Sequence, residues 1–148
     1  MQYKIRKTAT TVGALVFIGL ILWSNQLTEK DVGNGAPLRD DAAAMVEAYE
    51  AQRGDLWVES YGTVDKTLKD DNEGSRHQRF IVRLSNDHTV LISHNIDLAH
   101  RVPVSVGDRV VFRGEFEWNH RGGVVHWTHH DPQGGPGGWI EHHGKRFQ

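Results

Sequence analysis

The sequence contains no cysteine among its 148 residues. Disulfides, thiolate metal centres, thiol catalysis and a lipid-bearing cysteine are therefore excluded, while every compartment stays open. An excess of positive charge is lacking as well. The formal net charge is -2, and it is unevenly spread. Lys4, Arg6 and Lys7 stand without an acid at the start, twelve acids face five bases between 29 and 75, and nine bases face seven acids between 76 and 148. A body that is acidic overall argues against non-specific binding to DNA or RNA, which rests on neutralising phosphates. A phosphate loop is missing too: the glycines between 134 and 138 have no strand–glycine–helix context, and no Gly-Lys-Ser/Thr follows them. What is present suffices for one domain of ordinary size with a real core.

The first 24 residues read as a membrane anchor or signal segment. Met1–Lys7 is a short basic lead, and Thr8–Trp23 runs for sixteen residues without a charge. That is just short of the ~17 residues at the lower limit of a lipid-spanning helix. No Ala-x-Ala-like pair follows, which disfavours cleavage, and Trp23 resembles an interfacial anchor. The expectation is an uncleaved N-terminal membrane helix, with export after signal cleavage as the alternative. The basic lead stays cytoplasmic, which puts the body in the periplasm of a bacterium, on a single pass of the inner membrane. Residues 25–39 are polar and glycine-containing and form a linker.

Residues 40–148 form the folded part. Asp40 or Asp41 can cap a short amphipathic helix from Ala42 to about Arg53, with Ala42, Met45, Val46 and Tyr49 on one stripe and Gly54 as its stop. The period then changes to two. Strands are expected at Trp57–Leu68, His77–Leu84 and Thr89–Ile96, then one entered through Gly107-Asp108, and a last one from Val124 to about His130. A meander of three, a connector and a hairpin make a mainly β domain, a small five-stranded OB-like Greek-key barrel. Gly114 marks a sharp bend in its fourth strand. A different small barrel or sandwich is the runner-up. In the last hairpin, a His120–Gly123 loop pairs Glu117 with His126, Phe116 with Trp127 and Glu115 with Thr128. Phe116, Trp118, Val125 and Trp127 then share one face, with Glu115, Glu117, His126 and His130 on the other.

The chemistry concentrates in His126-Trp127-Thr128-His129-His130-Asp131-Pro132, which holds three of the ten histidines. A Glu–His pair across two strands can hold a metal or orient a proton-transfer imidazole. The catalytic candidates are Glu117, His126 and Arg79. The metal candidates are His94, His126, His130 and Asp131, a donor set that would suit Zn²⁺ or Mn²⁺. OB barrels use strands two and three as their ligand face, which nominates Arg76, His77, Arg79, His94 and Asn95. Each has a plainer reading. His94 has core parity, and core histidines are commonly satisfied by hydrogen bonds. The arginines balance the acidic turn at 70–73, and alternating polarity arises on any half-exposed sheet face.

The run from Arg76-His77-Gln78-Arg79 through His94-Asn95-Ile96-Asp97, Gly114-Glu115-Phe116-Glu117-Trp118-Asn119 and His126–Pro132 to Gly138-Trp139-Ile140 resembles the bacterial domain of unknown function 3465 family. The resemblance implies a small exported or membrane-associated protein and brings no catalytic residues. Two functions are expected: a membrane-held binding or accessory module for a small ligand or protein partner, or a metal-dependent hydrolase of the phosphodiesterase or nuclease kind.

Overall fold

The period-two alternation that begins at Leu56 closes a barrel. The computed structural model describes residues 37–148. The expected anchor at 1–24 and most of the linker at 25–39 lie outside the described residues. Among the described residues, no helix is long and apolar enough to cross a membrane. Leu38–Gln148 form one unit. It contains helix α1 (Ala42–Glu50) and strands β1 (Leu56–Thr67), β2 (His77–Leu84), β3 (Thr89–Asn95), β4 (Arg109–Glu117), β5 (Val124–His126), β6 (Trp139–His142) and β7 (Lys145–Phe147).

The sheet order is β1-β2-β3-β5-β4-β6-β7, and β1 also pairs with β4. Five strands thus close into the OB-like barrel, with β3 and β5 parallel and the other pairs antiparallel. The inward set is Val58, Val64, Phe80, Val82, Val90, Ile92, Val110, Phe112, Phe116 and Val125, each at most 1% exposed. Burying a side chain of this size contributes about 1.5–3 kcal/mol, so this alternation is the main source of stability. β1 serves two neighbours by bending at a bulge between Val64 and Lys66.

Helix α1 packs Ala42, Met45 and Ala48 into the same core, with Tyr49 beside them. Asp41 does not cap the helix through its side chain. Its carboxylate instead accepts the Glu59 N–H at 2.8 Å, while Asp40 accepts from the Ala42 N–H and the Ser60 and Ser85 hydroxyls. The helix ends at Glu50, ahead of the expected Arg53. Gln52 adopts φ 53°, and the Gln52 and Arg53 N–H groups return to the Tyr49 and Ala48 carbonyls. This is the paired C-terminal closure that glycine usually provides.

The last hairpin differs from the expected register by two residues. Glu115 pairs with His126, Phe116 with Val125 and Glu117 with Val124. The loop is longer than four residues because Asn119 organises it: its Oδ1 accepts the Arg121 and Gly123 N–H groups, and Gly122 and Gly123 take φ of 108° and 96°. An even shift preserves the faces, so Glu115, Glu117 and His126 still point outward together. β5 stops at His126 because Trp127 has φ 52°, which ends extended backbone. Trp118 and Trp127, expected beside Phe116, are 38% and 39% exposed. The tail adds the β6–β7 hairpin, laid along the first half of β4.

Candidate functional site

Outward residues of four strands stand in rows. His77 faces Asn95 and Arg79 faces Ser93 across β2–β3, and Glu115 faces His126 across β4–β5. The parallel β3–β5 register sets Ile92 beside Val125, which brings Ser93 beside His126 one step further on. On this face lies a cavity of about 230 Å³, lined by Ser75, His77, Ser93, Asn95, Leu98, His126, Trp127 and His129. A larger depression of about 500 Å³ at the β1–β2 turn is lined by Lys69, Asp70, Asp71, Asn72, Glu73 and Arg79 and has no apolar side chain.

Local structure fixes each wall. The Nδ1 of His77 donates to the Ser75 carbonyl at 2.8 Å, a role assigned because a carbonyl can only accept. Its Nε2 is left as an acceptor. His129 does the same with the His130 carbonyl at 2.7 Å. Asn95 Oδ1 accepts the Asp97 N–H at 2.9 Å, so its NH₂ is the remaining donor group. Trp127, turned out by its positive φ, carries its indole beside the His129 ring at 5.3 Å between centroids.

His126 joins the cavity to a second feature. Glu115, Glu117 and His126 each offer one donor atom within 4.8 Å of the others. His126 Nε2 lies 3.4 Å from Glu115 Oε2, yet it is a covered atom without a hydrogen-bond partner. Burial pushes the His126 pKa down; Glu115 and Glu117 oppose that shift, and His77 and His129 add to it. Glu117 is held from the α1–β1 turn by the Asp55 N–H at 3.2 Å. Gly54 makes room for it, because a Cβ there would overlap the Glu117 carboxylate.

The other expected residues are placed elsewhere. His94 is fully buried. Its Nε2 donates to the His100 carbonyl at 3.1 Å and its Nδ1 accepts the Thr128 hydroxyl at 2.8 Å, so both nitrogens are committed. Burial pushes its pKa down to about 4. Asp131 spends its two oxygens on the Gln133 and Gly135 N–H groups, and His130 is exposed. Neither belongs to the Glu115–Glu117–His126 group. His129, expected to point away from His126 and His130 in a regular strand, is 5% exposed and lines the same cavity as His126. Arg76 pairs with Asp97 at 2.7 Å, and that backbone N–H and guanidinium hold the Asp97 carboxyl below its ordinary value. Arg79 donates to the Lys69 carbonyl at 3.0 Å. Ser75, Ser93, Leu98 and Trp127 were not expected in the site. Of these only Ser93 had a signal, since it shares outward parity with Leu91 and faces Arg79.

The fold and this face define an OB-like β-barrel domain with a histidine-lined cavity on its outer sheet surface. The chain belongs to the family described as "Protein of unknown function (DUF3465)", whose model matches residues 32–148. No curated protein matches the chain.

Proposed function

We propose that the domain is a binding module for one small polar ligand, held on the outer β2–β3–β5 face. The cavity carries this reading, because it joins hydrogen-bonding groups of His77, Ser93 and Asn95 to the half-exposed Trp127 and Leu98. Ligand sites commonly combine an apolar surface with a few placed polar groups. At about 230 Å³ it is smaller than the roughly 300–1,000 Å³ of drug-sized sites, which restricts the ligand to a small one. Its location agrees with the usual ligand face of OB barrels, which supports the reading without carrying it.

The test is a titration of ¹⁵N-labelled full-length protein with inorganic phosphate, acetate and N-acetylglucosamine. At least one probe should shift the resonances of His77, Ser93, Asn95 and the Trp127 indole together. His77→Ala and Ser93→Ala should each weaken that probe by about tenfold, the loss of one polar contact. Shifts that gather at α1 or at residues 69–73, or no shift from any probe, would overturn the reading.

The basic lead Lys4, Arg6 and Lys7 and the uncharged Thr8–Trp23 support a body anchored to a bacterial inner membrane and facing the periplasm. Protease added outside spheroplasts should then digest the domain, and full protection would place it in the cytoplasm. The hydrolase reading has less support. It needs Arg76 or Arg79 at a phosphate, and neither lines the cavity: Arg76 pairs with Asp97, and Arg79 borders the separate depression at residues 69–73.

A further inference from the structure

Two groups of metal-ligand type occur among the described residues, and they differ in one decisive respect. In Asp108–His142–His143 the buried imidazole of His142 is already partnered by Asp108. His142 Nε2 donates to Asp108 Oδ2 at 2.9 Å, and the same oxygen accepts the Ser105 N–H at 2.8 Å. That group locks β6 to the turn before β4. In Glu115–Glu117–His126 the corresponding bond is absent. Nε2 of His126 is covered and unpartnered while a carboxylate oxygen lies 3.4 Å away.

We infer that Glu115, Glu117 and His126 form a binding site for one divalent first-row cation of the zinc class. Two carboxylates and an imidazole have donor atoms that converge within 4.8 Å, and among the described residues no lysine or arginine pairs with either carboxylate. One spacing is already that of ligands to a common ion, and the third donor lies within 4.8 Å of both. Bonds of about 2.0–2.2 Å at tetrahedral angles put neighbouring donors about 3.3–3.6 Å apart. The His126–Glu115 separation of 3.4 Å already has that value. Glu117 is placed independently of the other two, by the Asp55 N–H and by the space that Gly54 leaves. A one-nitrogen, two-oxygen set suits Zn²⁺ and also accepts Mn²⁺. Three protein donors leave a coordination position open for water or an exogenous ligand. The site does not depend on what the neighbouring cavity binds, although His126 borders both.

The test uses full-length protein freed of metal, titrated calorimetrically with Zn²⁺ and spectroscopically with Co²⁺. Wild type should take up one ion per chain and show the visible absorption of low-symmetry Co²⁺. Glu115→Gln and Glu117→Gln keep the side-chain shape, and each should weaken uptake at least about tenfold; His126→Gln should weaken it further. Their melting temperatures without metal should match wild type, while Zn²⁺ raises only that of wild type. His143→Ala should bind as wild type does, which separates this group from the one at Asp108. His77→Ala and Ser93→Ala should also leave Zn²⁺ uptake unchanged, which separates failure here from failure of the cavity reading. No uptake, uptake indifferent to all three substitutions, or uptake lost with His143→Ala would each overturn the site.

Discussion

Gly114→Ala should lower the stability of the domain by about 3 kcal/mol, the upper part of the usual range for overpacking. β4 passes here directly beneath the end of β5. An added Cβ would overlap the His126 carbonyl oxygen and lie 2.8 Å from Val125 Cγ1 and 2.9 Å from Thr128 Cγ2. None of these is the loose end of a flexible side chain, so relief requires moving backbone. The strand that moves carries His126, which links the cost in packing to the geometry of the site. Urea unfolding of wild type and variant measures the effect. An unchanged midpoint would mean that β5 does not lie on β4 in this register. Gly107 provides the contrast. It has φ 94° and nothing within 4 Å of an added Cβ, so alanine there meets backbone strain alone.

Acidification should destabilise the protein between pH 6.5 and about pH 4, and His94→Gln should remove most of that loss. His94 is buried with both nitrogens bonded, and its folded pKa of about 4 lies below the ordinary 6.5. Between those values the unfolded chain binds a proton that the folded one refuses, so stability rises with pH across the window. The contribution is complete above pH 6.5 and is lost as the pH falls toward 4. At roughly 1.4 kcal/mol per pH unit the loss reaches about 3 kcal/mol. His126, also depressed by burial, adds to the slope with the same sign. The lowered carboxyls of Asp40, Asp97 and Asp108 act with the same sign but only below about pH 5, so the slope between pH 6.5 and about 5 reports the histidines. Glutamine can still donate to the His100 carbonyl and accept from Thr128, which separates titration from packing. Denaturation midpoints measured from pH 4 to 7.5 decide the matter. An equal slope in both proteins would show that His94 does not titrate in this way.

The barrel was legible in the sequence because period-two alternation is a property of the chain itself. Phe80, Val82, Val90 and Ile92 read as inward from spacing alone, and they are. The facing of Glu115, Glu117 and His126 survived a two-residue register error for the same reason: an even shift changes partners but not faces. The features that failed depend on single backbone angles or on single side-chain bonds. Nothing in the residue type of Trp127 announces φ 52°, yet that angle ends β5, exposes the indole and lets Thr128 turn inward. The six-residue hairpin loop follows from the side chain of Asn119 closing on two backbone N–H groups. The cavity walls Ser75 and Leu98 come from connections, where no periodicity exists to place them. His94 illustrates the opposite case. Its core parity was visible, and its role as a buried bridge between two loops followed once both partners were in place.

The β6–β7 hairpin has a protective consequence. The second half of β4 is flanked by β1 and β5, and its first half by β1 and β6. Without Trp139–His142, the backbone of Val110–Arg113 would become an open strand edge, a ready template for another chain. The connection between 132 and 136 is the exposed link holding that cover in place. A single proteolytic cut there, followed by loss of the hairpin, would turn the covered side of β4 into an edge able to recruit copies of the chain.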